Sequence, residues 1–276
     1  MSKISKHRSD LEPLLSRNPN LASYEHLRQY LLCHSALPGR RGNIELAHVF
    51  GNIMGDYADV YEDEYWKVCQ AFLNISVDEA PVNTAKEFLP FCGVIGIGAI
   101  GATLPNRCPQ ALSLLRIAAS DPRWRIREAV AMGLQRMLSA SPTNCLEVIN
   151  DWVDSANLLE MRATAAAVAE PLLLHNEVFN QSALNLHKKI IKQYLMIEER
   201  KKENARILRK ALGYTLSVVV SAIPEEGFAF MAVLSEIEDT DLAWILRENL
   251  KKKRLSYNYP DRVYHIKQLM RKNAST

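Results

Sequence analysis

The chain is 276 residues long, 48% hydrophobic and 24% charged, so it can bury one large core or two small ones and is not a disordered chain. A net charge of +3 with a pI near 8.5 is too mild to mark a nucleic-acid binder by totals alone. Five scattered cysteines (Cys33, Cys69, Cys92, Cys108 and Cys145) form no C-x-x-C pair, which argues against a disulfide framework and for reduced thiols in a cytoplasmic protein.

Residues 1–8 carry charges but no apolar run, so they are expected to be disordered and are not a signal peptide. Ser9 and Asp10 open a short expected helix ending at Asn18-Pro19; a second over 22–35 puts Tyr24, Leu27, Tyr30 and Leu31 on one face. The break Leu37-Pro38-Gly39-Arg40-Arg41-Gly42-Asn43 leads to a helix capped by Asn43 and carrying Ile44, Ala47, Phe50 and Met54. Residues 62–75 place Tyr65, Val68, Cys69 and Phe72 at helical spacing. Residues 83–103 are apolar and dotted with glycine, and the longest apolar run, near 91–104, is shorter than a bilayer span. Further helices are expected over 108–119, 122–138, 144–153, 158–174, 177–200, 203–223, 224–238, 241–253 and 261–272. Only Val218-Val219-Val220 is locally strand-like, so no sheet is expected. The organisation read from this pass is a disordered 1–8, irregular helical hairpins over 9–80, and a repeat array over 81–272.

The array rests on an internal repeat. Residues 121–128 and 241–248 both read D-x-x-W-x-x-R-E, with Asp121, Trp124 and Arg127 matched by Asp241, Trp244 and Arg247. A weaker copy centres on Arg162, 35 residues after Arg127, a step that suits a helical hairpin with its turns. In this reading the aspartate caps its helix, the tryptophan fills the seam under the turn, and the arginine reaches a carboxylate on the next hairpin.

The octapeptides resemble the helix–turn–helix of HEAT repeats. The phrase around Arg127-Glu128-Ala129-Val130, with residues 204–226 and 247–255, is similar to bacterial HEAT-repeat proteins of unassigned activity. The resemblance covers roughly residues 80–255 and implies an all-α fold, a right-handed α-solenoid of HEAT-like helical hairpins. Residues 119–127 also resemble the corresponding turn of the HEAT-like-repeat DNA glycosylases that remove alkylated purines. There the resemblance would give Arg127 a role, but the aspartate and cleft tryptophan of that family find no match near 91–97 or at Ala166 and Ala167.

Residues 96–101 match G-x-G-x-x-G, yet a dinucleotide site needs a strand before it and a full helix after it. Pro105 and Pro109 follow too closely, so the glycines are read as points of close helix–helix approach. The seven histidines form no metal-binding pattern and no nucleophile elbow is present; no catalytic residue, cofactor or metal is expected. Charge is polarised along the chain: residues 56–79 hold seven acids and one base, 188–210 nine bases and three acids, and 247–272 nine bases and two acids. Candidate anion or partner contacts are therefore Arg40 and Arg41 on their glycine-flanked loop, Lys188, Lys189, Lys192, Lys201, Lys202 and Arg206, and Lys251, Lys252, Lys253 and Arg254, with Tyr257 and Tyr259 beside the last group. The expected function is a non-enzymatic scaffold that binds another protein through a concave face, without a membrane. Nucleic-acid binding through the basic C-terminal half is the alternative, and an alkylpurine DNA glycosylase a more distant one.

Overall fold

A computed structural model describes residues 2–15 and 21–273. Its regular structure is fifteen α-helices and one 3-10 turn, with no strand among the described residues. The all-α class expected from the periodicities is the one adopted, and Val218, Val219 and Val220 are buried helix. The chain forms two compact units, Met1–Cys145 and Leu146–Thr276, with the boundary inside α8 (Pro142–Asp154). The divide expected at residue 80 does not coincide with it.

The first unit holds α1 (Lys3–Leu15), α2 (Leu21–Cys33), α3 (Ile44–Asp56), α4 (Glu62–Leu73), α5 (Phe88–Thr103), α6 (Cys108–Ala118) and α7 (Trp124–Ala140). Residues 3–8, expected to be disordered, are helical. Leu11 and Leu15 of α1 are buried, and Arg8 bridges Glu12 (2.7 Å) to Asp56 (2.7 Å), which ties the helix to α3. The expected end of that helix at Asn18-Pro19 lies outside the described residues. As expected, Asn43 caps α3 by accepting from the Leu46 amide, and Tyr65, Val68, Cys69 and Phe72 of α4 are buried.

Alternate helices stack: α3, α5 and α7 lie side by side, while α4 and α6 pack on α5 from the second row. That is the arrangement of piled helical hairpins. Every residue of α5 over 88–101 is buried. Counted with the 3-10 turn before it, the segment Ala85–Thr103 reaches 19 residues, longer than the sequence pattern suggested and long enough by composition for a membrane span. Its neighbours α3, α4, α6 and α7 account for the apolar surface. The G-x-G-x-x-G glycines sit at those contacts. A Cβ on Gly98 would lie 2.4 Å from the Gly133 Cα of α7, one on Gly96 2.3 Å from Cys69 Sγ, and one on Gly101 2.4 Å from Ala111 Cβ. They serve close approach inside a continuous helix.

The second unit holds α9 (Leu158–Val168), α10 (Glu177–Leu195), α11 (Glu203–Ala222), α12 (Pro224–Ser235), α13 (Thr240–Leu250), the short α14 (Lys253–Ser256) and α15 (Pro260–Asn273). Here α9, α11 and α13 form one row; α10 packs on α9 and α11, and α12 on α11, α13 and α15. Asn157, Asn176 and Asp239 cap α9, α10 and α13. Two helices end earlier than their apolar patterns. Before Pro171 the chain leaves the helical region, so α9 stops at Val168. The end of α10 at Leu195 is set by Arg200, whose guanidinium donates to the Leu195 carbonyl (2.7 Å) and the Ile197 carbonyl (3.1 Å).

Polar groups register the second unit. Asn249 of α13 donates to the Leu212 carbonyl of α11 (2.8 Å) and accepts from the Ser217 amide (2.7 Å). His187 of α10, fully buried, meets Thr215 Oγ1 of α11 at 3.0 Å and the Ala183 carbonyl at 2.9 Å. Burial pushes its pKa down to about 4, so the folded imidazole is neutral where the unfolded one gains a proton.

Two measurements test this packing. Gly98→Ala gains about 1 kcal/mol of helix propensity but sets a methyl against backbone that cannot swing away, and a net loss of roughly 2 kcal/mol is expected in denaturant unfolding. A neutral or stabilised variant would show that α5 and α7 are not in backbone contact. For His187 the depressed pKa means that stability is complete above pH 6.5 and falls as pH drops towards 4, by roughly 3 kcal/mol at 1.36 kcal/mol per pKa unit. His7 and His48, also held low by burial, act in the same window. The pH slope should therefore flatten in part, not vanish, in His187→Gln.

Candidate functional site

The repeat octapeptides fold differently from each other. In α13 the helix begins at Thr240 and Asp239, not Asp241, is the cap. Asp241 instead accepts from Arg209 of α11 and from the Tyr194 hydroxyl (3.0 Å). Trp244 lies against α11, where Arg209 stacks 4.8 Å from its ring and a Cβ on Gly213 would come within 2.9 Å of it. It lies half-buried in the seam between α11 and α13. In α7 the helix begins at Trp124 itself, and the cap position, Arg123, has no side-chain cap bond. Trp124 is 44% exposed, so it does not fill a seam; it carries the Arg125 guanidinium 4.4 Å over its ring. Asp121 accepts from the Arg123 amide (2.7 Å) and grips its guanidinium (2.7 and 2.9 Å). Arg127 donates to the Asp121 and Pro122 carbonyls (2.6 and 2.9 Å) of its own turn. Arg162 is buried in α9, and Arg247 is exposed.

The residues that do reach across the first unit are the two arginines between the repeat positions. Arg123 donates to the carbonyls of Ile75 (3.0 Å), Ser76 (3.3 Å) and Ala80 (3.4 Å), joining the α6–α7 turn to the α4–α5 connection. Arg125 forms a buried ion pair with Glu87 (2.9 Å), and its other terminal nitrogen donates to the Gly39 carbonyl (2.7 Å). The Gly39 amide in turn donates to Asn83 (2.9 Å), whose own amide donates to Glu87 (2.7 Å). Thus the turn carrying Arg40 and Arg41 is clamped from below, while both arginines are exposed. Three arginines spaced by two, at 123, 125 and 127, are a sequence signal for this: residues two apart do not share a helical face, so Arg125 points away from Arg127.

The late bases, expected as candidate anion or partner contacts, are divided over the second unit. Lys189 pairs with Asp154 (2.6 Å) and Asn150 (2.9 Å), and Lys188 lies 5.7 Å from the Phe230 ring. Lys192, Lys201 and Arg206 are exposed, and Lys202 pairs with Glu199. Lys252, Lys253 and Arg254 border a cavity of about 600 Å³ beside Val218, Ser221 and Ala222 at the far end of α11. Tyr259 packs edge-on against Phe228 (5.6 Å), so it is a packing residue; Tyr257 is 83% exposed. At 1.5 Å per residue, Lys202 and Ala222 stand roughly 30 Å apart along α11, which splits the cations between its two ends.

One surface combines charge with an apolar floor. A groove of about 750 Å³ lies among α12, α13 and α15. Leu234, Ala243, Leu246, Leu250 and Met270 line it, with Ile237 at its edge. Around it stand Arg247, Lys251, Lys267 and Arg271, against Glu238 and Asp239. Asp239 is matched by Arg200 and Lys251 by Glu248 (2.5 Å). The Asn273 amide donates to the Ser235 carbonyl (2.8 Å) and holds the end of α15 to the end of α12. Sequence reading placed Lys251 among contacts but used Arg247 as a stacking residue; the groove exists only because α13 and α15 converge.

The clamp under the Arg40–Arg41 turn is testable. Glu87→Ala leaves Arg125 charged and unpaired in a buried site, and a loss of about 3–5 kcal/mol is expected. Glu87→Leu with Arg125→Met should recover most of that stability yet leave tryptic cleavage after Arg40 and Arg41 faster than in the parent. Unchanged cleavage would show that the ion pair does not hold the turn.

No family model and no curated protein matches the chain. Among solved structures it is similar to a designed armadillo repeat protein, over 98% of this chain and 99% of that one, at 12% identity and a TM-score of 0.35. At that score the likeness carries no argument. The helix-stack assignment rests on the packing described above, and no relative supports the HEAT-family or glycosylase resemblance of the octapeptides.

Proposed function

We propose that the protein is a non-enzymatic scaffold that binds another protein, and that the groove among α12, α13 and α15 is where it does so. The observation that supports this reading is the groove itself. Ile237, Ala243 and Met270 offer accessible apolar surface over a floor of buried leucines, and cations surround it, the mixture of apolar centre and polar margin that protein interfaces use. Stacked hairpins offer such surfaces because each row leaves an apolar face for the element that follows it. The groove replaces the concave face as the proposed contact.

The test is retention of a partner from extracts of the native host by the tagged full chain. Ile237→Glu and Met270→Glu change exposed or half-buried groove positions, so unfolding temperatures should stay within a few degrees of the parent. A partner held by the parent and lost from both variants supports the reading. The same set of proteins on parent and variants overturns it.

A further inference from the structure

The occupant of the groove can be named by its chemistry. Two features bear on its shape. The groove runs between α13 and α15, and within this unit the seams of the row α9, α11, α13 are filled by helices. An amphipathic helix laid into such a seam places side chains spaced three and four apart on the apolar floor. One feature bears on its charge. Among the described residues Arg247 and Lys267 form no salt bridge, and they stand at the floor beside Lys251, which Glu248 already holds. Of the two acids there, Asp239 is already held by Arg200, and Glu238 stands alone beside Ile237. A basic or neutral helix would leave this excess unanswered, whereas carboxylates flanking the apolar anchors would meet it.

We infer that the groove docks an acidic amphipathic helix from a partner protein, with apolar anchors over Ile237, Ala243 and Met270 and Asp or Glu side chains facing Arg247 and Lys267. This rests on the scaffold reading above and adds the partner's class. A nucleic acid would use the cations but leave the apolar floor unfilled; an uncharged apolar peptide would do the reverse.

The experiment titrates the full chain into three fluorescently labelled helical peptides: leucine anchors flanked by glutamates, the same anchors flanked by lysines, and the glutamate peptide with its anchors changed to serine. Only the first is expected to bind tightly, at least about tenfold better than either control, and to weaken by roughly tenfold from low to high salt. Arg247→Glu with Lys267→Glu, both at exposed positions, should weaken the acidic peptide by about tenfold or more and strengthen the lysine peptide. Equal binding of the acidic and lysine peptides, or no binding by any, overturns the inference. So does duplex DNA that binds at the same residues more tightly than the peptide, or a self-association seen in sedimentation that the double variant abolishes. The two readings fail separately. A host partner lost from Met270→Glu while no acidic peptide binds leaves the scaffold and removes the acidic helix. Absence of any groove-dependent partner removes the scaffold reading, even where the peptide binds.

Discussion

A helix with no polar side must be enclosed, and α5 is such a helix. From Phe88 to Gly101 it exposes nothing, so α3, α4, α6 and α7 have to surround it, and the first unit is built outward from that requirement. Four neighbours fit around one helix only if some approach to backbone distance. The glycines of α5 allow this: Gly98 meets Gly133 on α7, and Gly93 meets the Leu73 amide and Cys69 carbonyl of α4. The same residues that mimic a nucleotide-binding fingerprint are thus the condition for stacking. A long apolar run and a glycine motif, each suggestive of another class of protein, have one common cause in helix packing.

The second unit solves the same problem with polar registration. Its central helix α11 is held to α13 by Asn249 and by the Arg209–Asp241 pair, and to α10 by the His187–Thr215 contact. Buried polar groups paired across helices specify one register, because sliding the helices by a turn would strand them. The dispersion of ordinary apolar contacts does not impose that penalty. His187 shows the cost of the arrangement: an imidazole whose pKa burial has moved to about 4 makes the unit sensitive to acid.

Both units also spend positive charge internally before presenting any outside. In the first, Arg107 answers Glu62 and Asp63, Arg8 answers Asp56, and Arg123 and Arg125 satisfy carbonyls and Glu87 beneath the turns. In the second, Arg200, Arg209 and Lys189 serve α-helix ends and seams. The cations left over mark surface that packing does not explain. Among them are Arg40 and Arg41 on the clamped turn, Lys192, Lys201 and Arg206, Lys252, Lys253 and Arg254 at the end of α11, and Arg247 and Lys267 around the apolar groove. The last set stands beside Ile237 and Met270 in the groove on which the proposed function rests.

The sequence by itself determined the fold class and most element positions, because helical periodicity, Asn and Asp caps and proline breaks act over a few residues. Asn43 at the start of α3 and the buried face of α4 were legible in that way. It also disclosed that the 96–101 glycines meant close approach. What it misjudged depended on distant partners. The helix over residues 3–8 runs on into Leu11 and Leu15, which are buried, and Arg8 ties it to Asp56 of α3, while Arg200 folds back on the end of α10 at Leu195. Two octapeptides share the pattern D-x-x-W-x-x-R-E, yet Trp244 is packed against Gly213 and Trp124 is 44% exposed. A spacing along one helix says which residues share a face; it does not say what that face meets. The groove, the clamped turn and the division of the late cations between the two ends of α11 are all meetings of segments far apart in the chain, and only the tertiary structure decides those.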